Sequence, residues 1–189
     1  MRTLLLNGII GITVLFSCAR EDQEQRVQYN SESFTEVKGE LRYNGVPFTG
    51  WLLSVDTVNK TKNSSHYKDG FKHGKEKKNY LSGGQAEERW YDAGIKVGVH
   101  KAWWPSGKPK FEYHFDTSGA YHGSVTEWYP SGQCYKKFHF THGREAGRQQ
   151  MWQGDGTLRA NFTTVDGERY GLIGLKKCYT VNTANETIK

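Results

Sequence analysis

Glycine returns along this chain at a nearly fixed interval: Gly50, Gly74, Gly98, Gly123, Gly147 and Gly171 follow one another at steps of 24, 24, 25, 24 and 24 residues. A second set, Gly45, Gly70, Gly94, Gly119, Gly143 and Gly167, precedes the first by four or five positions. Nine residues after each of the first five anchors stands Asn59, Gly83, Gly107, Gly132 or Gly156. Self-similarity at such a period marks stacked supersecondary units, each unable to bury its apolar surface without a neighbour. Asn59 in a glycine series predicts a backbone with positive φ there, since Asn is the side chain that best tolerates it.

Within each unit the pattern is that of a β-hairpin. Trp104-Pro105-Ser106-Gly107 and Tyr129-Pro130-Ser131-Gly132 read as turns in which proline presets φ and glycine relaxes the exit. A first segment runs from each anchor glycine towards its turn and carries Tyr80, Trp103 and Trp104, Trp128 and Tyr129, or Trp152. A second alternates, as in Phe111, Tyr113 and Phe115, with Phe138 and Phe140 one unit later. Alternation of period two bounded by turns predicts strands, and 37–178 contains no apolar stripe of helical period. The expected fold is all-β: an elongated, single-layer antiparallel sheet of about six stacked hairpins, with the anchor glycines as structural turns. Strands about 4.8 Å apart advance the stack about 10 Å per hairpin and give a strip roughly 50 to 60 Å long. Six Trp, eleven Tyr and nine Phe, with few Leu, Ile or Met beyond Cys18, make rings the expected core. On that basis Trp128→Ala is expected to cost several kcal/mol, whereas loss of a whole internal unit shortens the sheet without unfolding it.

The units Tyr91-Asp-Ala-Gly94-Ile-Lys-Val-Gly98-Val-His-Lys-Ala-Trp103-Trp104-Pro-Ser-Gly107 and Tyr43-Asn-Gly45-Val-Pro-Phe-Thr-Gly50 resemble bacterial MORN-repeat variants, including the YwqK-type antitoxins. The resemblance covers 37–177. It implies stacked hairpins, with a last unit from Gly167 that lacks the tryptophan and turn and so reads as a cap. It says little about activity.

The start of the chain reads as an export signal: Arg2, an apolar run over 4–16, then Ser17-Cys18. Leu15-Phe16-Ser17-Cys18 resembles a bacterial lipobox, which implies that Cys18 is lipidated and becomes the N-terminus. The expected organisation is a signal peptide over 1–17, a polar flexible tether over 18–36, a repeat domain over 37–178 and a tail over 179–189. Glu21-Asp22 resembles a surface-export signal of Bacteroidetes-type lipoproteins. The expected location is the bacterial cell envelope, as an outer-membrane lipoprotein on the periplasmic or the outer side, held through lipidated Cys18.

Chemical motifs are scarce. No nucleophile elbow, phosphate loop or zincin signature is present, and His100, Glu127 and Asp155 are scattered polar residues with nothing to fix them relative to one another. Cys134 and Cys178 fall about three strand steps apart, about 14 Å, beyond disulfide reach, and are expected as free thiols. His66, His114 and His139 recur at one repeat position; equivalent positions in neighbouring hairpins lie about 10 Å apart, too far to share a metal. No cofactor, metal or catalytic residue is expected. The net charge of +6 and pI of about 9.1 draw on lysines over 72–78 and on Lys136 and Lys137. They fit a solvated strand face or an anionic partner, and export argues against nucleic acid. The leading expectation is therefore a non-enzymatic protein-interaction module with Trp103, Trp104, Trp128, Tyr129 and Trp152 as candidate binding anchors. If role follows the resemblance, the partner would be a toxin. The alternative is direct binding of anionic phospholipid or glycan to the basic aromatic strip.

Overall fold

A computed structural model describes residues 24–174. Cys18, Cys178 and the segments 1–17 and 179–189 lie outside the described residues. Seventeen strands follow in chain order: β1 Arg26–Gln28, β2 Phe34–Val37, β3 Glu40–Tyr43, β4 Val46–Pro47, β5 Gly50–Asp56, β6 Thr61–Lys68, β7 Phe71–Tyr80, β8 Gln85–Asp92, β9 Ile95–Lys96, β10 Gly98–Trp103, β11 Pro109–Phe115, β12 Tyr121–Trp128, β13 Cys134–Thr141, β14 Arg144–Glu145, β15 Gly147–Trp152, β16 Leu158–Val165 and β17 Glu168–Leu172. Among the described residues there is no helix. A 14-stranded sheet runs β1-β5-β6-β7-β8-β10-β11-β12-β13-β15-β16-β17, with β9 paired to β8 and β14 to β13. Every pairing in it is antiparallel except β1 with β5.

Two features differ from a single antiparallel layer. Strands β2, β3 and β4 form a separate three-stranded sheet. The stretch 24–36, expected as tether, also joins the fold: β1 adds to β5, and Phe34 is 4% exposed in a cluster with Leu41, Phe48 and Leu52. Burying these side chains contributes about 1.5–3 kcal/mol each, enough to order a polar stretch that shows no apolar period.

The reversals explain the glycine rhythm. Lys38-Gly39, Asn44-Gly45, Asp69-Gly70, Ala93-Gly94, His142-Gly143 and Asp166-Gly167 are two-residue loops with positive φ at both positions, the type I′ geometry that matches strand twist. At the other end, Trp104 N–H donates to Lys108 O and Gly107 N–H to Trp104 O, a three-residue loop closed by a left-handed glycine, and the same bonds recur at Tyr129 and Gln153. The single 25-residue step has its cause at Asp116, where Thr117, Ser118 and Gly119 make a three-residue loop in place of two. Asp116 Oδ1 accepts from Ser118 Oγ at 2.6 Å, Ser118 N–H at 2.9 Å and Ala120 N–H at 3.0 Å. The Ser118 hydroxyl and these amides hold its carboxyl well below the usual carboxylate range.

The anchor glycines do not form the reversals, as the sequence suggested, but lie in or at the start of strands. Gly98 and Gly147, at φ 68° and 71°, end short breaks that separate β9 from β10 and β14 from β15. In the loop between β5 and β6 the left-handed residue is Lys60, φ 51°, and not Asn59. That loop has four residues, and Asn59 instead donates its N–H and its Nδ2 to Asp56.

The core is the ring ladder only in part. Tyr91 and Phe162 are buried with Ala86, Ala102, Val125 and Ala160, beside the polar His100 and Gln149, whereas Trp103, Trp104, Trp128, Tyr129 and Trp152 are half-buried. With no second layer over most of the sheet, large rings cover small side chains and stay partly wet themselves. Gln149 is 0% exposed; its Oε1 accepts from His139 N–H at 3.0 Å, and its Nε2 faces His139 O at 2.9 Å, Ala146 O at 3.2 Å and Gly147 O at 3.3 Å. His100 stands two residues after Gly98 as Gln149 does after Gly147, and its Nε2 lies 2.8 Å from Trp90 O. Gln149 Oε1 accepts from His139 N–H where the kink interrupts the ladder, while His100 Nε2 adds a second donor to Trp90 O, which already accepts from Val97 N–H at 3.0 Å.

Burial holds the His100 imidazole below its ordinary range, against the pull of the Trp90 carbonyl. A histidine depressed in the folded state takes up a proton on unfolding. The stability it contributes is therefore full above about pH 6.5 and is lost as pH falls through the ordinary histidine range. His100→Gln is expected to fold at about pH 7.5 and to lose less melting temperature than the native chain on going to about pH 5. An identical pH dependence in the two proteins contradicts this role.

Candidate functional site

The rings converge where consecutive hairpins meet. Each of β10, β12 and β15 carries a bulge just before its turn, at Ala102/Trp103, Glu127/Trp128 and Met151/Trp152. A bulge leaves backbone groups unpaired. The neighbouring hairpin supplies the missing donors: Tyr80 Oη to Trp103 O at 2.7 Å, Trp104 Nε1 to Trp128 O at 3.2 Å and Tyr129 Oη to Trp152 O at 3.1 Å. Each bond spans 23 or 24 residues, one step of the glycine rhythm. Lys108 Nζ adds a parallel bond to Ser131 O at 2.6 Å.

These bonds line up an open groove of about 280 Å³ walled by Trp104, Lys110, Phe111, Tyr113, Glu127, Trp128, Tyr129, Pro130 and Tyr135. Phe111 and Tyr113 stack at 4.3 Å and 8°, Tyr129 and Tyr135 meet edge to face at 5.2 Å, and Lys110 Nζ sits 4.7 Å above the Trp104 ring. The carboxylate in the wall is already engaged. Glu127 pairs with Lys136 across the strands and accepts from Tyr113 Oη at 3.1 Å. Burial, with Glu127 beside it, pushes the Tyr113 phenol well above its ordinary value. What the groove offers a ligand is ring surface, one cation at Lys110 and few free hydrogen-bonding atoms.

No protein-family model matches the chain, and no curated protein matches it either.

Of the five candidate anchors, the groove brings together Trp104, Trp128 and Tyr129. Trp103 lines a separate polar hollow of about 230 Å³ with Asp56, Asn59, Lys78 and Glu87, and the Trp152 carbonyl serves Tyr129. Phe111, Tyr113 and Tyr135 complete the wall. Phe111 and Tyr113 share a face by period-two alternation, paired to Glu127 and Val125, whereas Tyr135 is the residue skipped at the bulge between the pairs Glu127–Lys136 and Trp128–Cys134. The scattered His100 proves a structural donor, and Asp155 caps its own turn by accepting from Thr157 N–H at 2.8 Å. His66 and His114 are skipped in the strand register two units apart, with Trp90 at the position between, His139 follows one unit after His114, and Cys134 is a half-buried free thiol. The basic stretches are interleaved with acids: Lys75 with Glu88 at 3.0 Å, Lys78 with Glu87 at 3.3 Å, Lys101 with Glu112 at 3.2 Å, and Lys72 with Glu76.

Proposed function

We propose that this chain is a non-enzymatic, membrane-tethered interaction module of the bacterial envelope, a MORN-like stack of hairpins held through Cys18 that captures a protein partner in the aromatic groove. The observation that carries the reading is the groove itself: aromatic walls held by bonds between hairpins, with its one carboxylate already paired. Such a surface suits insertion of an apolar side chain from a partner, the arrangement of binding hot spots. The partner would be a toxin if the antitoxin role of the resembling proteins extends to this one.

Direct binding of anionic phospholipid or glycan is the second reading, favoured by the net charge of +6. The Lys–Glu pairs across the strands weaken it, since each sets a carboxylate beside a cation of the basic stretches. Affinity capture from envelope extracts distinguishes the two. Trp128→Ser is expected to weaken partner retention about 30-fold, equivalent to about 2 kcal/mol, with little dependence on salt. Unchanged retention in Trp128→Ser, or salt-sensitive binding to anionic vesicles in its place, contradicts the proposal.

A further inference from the structure

Three side chains far apart in sequence meet at one end of the large sheet. Asp116 opens the three-residue loop between β11 and β12, His122 is the second residue of β12, and His142 is the first residue of the loop between β13 and β14. The loops belong to consecutive hairpins, and Gly143 N–H donates to Tyr121 O at 2.8 Å, which ties the second loop beside His122. One donor atom from each of Asp116, His122 and His142 lies within 4.8 Å of the others. His142 Nδ1 is 3.0 Å from Asp116 Oδ2, and the two imidazoles are 4.8 Å apart between centroids.

We propose that Asp116, His122 and His142 form a binding site for a divalent first-row transition ion of the zinc class. The donor set is two imidazole nitrogens and one carboxylate oxygen, which favours zinc, nickel or copper over calcium or magnesium. Asp116 is built for the task. Oδ1 is held by three donors from its own loop, which fixes the carboxylate and leaves Oδ2 facing the histidines. Both histidines are exposed, so their rings can close the remaining distance to bonds of about 2.0–2.1 Å, with water completing the shell. The site depends on the irregular 25-residue step, because the longer loop is what Asp116 braces. Two hairpins earlier, His73 takes the place of His122, but Ala93 stands where His142 would be. An ion held here clips the loops of two consecutive hairpins together.

The test is titration of the full chain, carrying Cys18→Ser, Cys134→Ser and Cys178→Ser to remove competing thiols, with zinc chloride, followed by histidine ring NMR signals and the melting temperature. The expected result is one zinc per chain, shifts at His122 and His142 with His100 unmoved, and a raised melting temperature. His122→Gln, and separately His142→Asn, which suits a left-handed turn position, each weaken binding by about 10–100-fold and abolish the thermal gain. No binding, or binding unchanged in both variants, overturns the assignment.

Discussion

Phe48→Ala is expected to destabilise the protein by about 3–5 kcal/mol, the largest effect of any single truncation considered. Phe48 is 1% exposed, and its ring meets Phe34 edge to face at 5.3 Å, with Tyr43 and Tyr67 each at 6.0 Å. Its backbone is equally committed: its N–H donates to Leu41 O at 3.0 Å, and its carbonyl accepts from Gly70 N–H at 2.9 Å. It stands between β4 and β5, where the three-stranded sheet joins the large one. Truncation removes ring burial where the two sheets join, from the cluster Phe48 forms with Phe34, Leu41 and Leu52. Urea unfolding measures the loss, and a change below about 1 kcal/mol contradicts this account of the joint.

The second large effect is expected at Gln149. Gln149→Leu keeps the volume but strips a fully buried site of the bonds to His139, Ala146 and Gly147, at a cost of about 2–4 kcal/mol. A hydrophobic core would gain from that substitution; this one loses, because the side chain substitutes for a strand. Gln149→His is the matched control, since His100 occupies the equivalent position and keeps a donor contact, to Trp90 O. It is expected to lose less than half as much in the same unfolding experiment. If Gln149→Leu is neutral, the kink at Gly147 does not need the repair described.

The strands and loops were legible in the sequence because their signals are local. Trp-Pro-Ser-Gly marks its own turn, and Phe111, Tyr113 and Phe115 declare a strand by alternation. The buried polar residues were not legible. Nothing in a hydropathy pattern distinguishes His100 or Gln149, whose burial follows from a backbone break at the preceding glycine. The short β1 and the docking of Phe34 were hidden for a related reason: each depends on a partner segment distant in the chain. At the candidate site the rings Trp104, Trp128 and Tyr129 were visible as a recurrence, but their division from Trp103 and Trp152 needed the register and the 23- to 24-residue bonds. The Asp116, His122 and His142 cluster has no motif spacing, since it forms only when two loops stack.

The proposed capture of a partner is assigned to the groove and to no other face. The most direct measurement places a photo-crosslinking amino acid at Tyr135 in the groove wall and, separately, at Lys101 on the opposite face, in the full chain expressed in bacterial cells. One discrete protein adduct is expected from Tyr135 and none from Lys101. Adducts of equal yield from both faces, or adducts to lipid alone, would contradict that assignment.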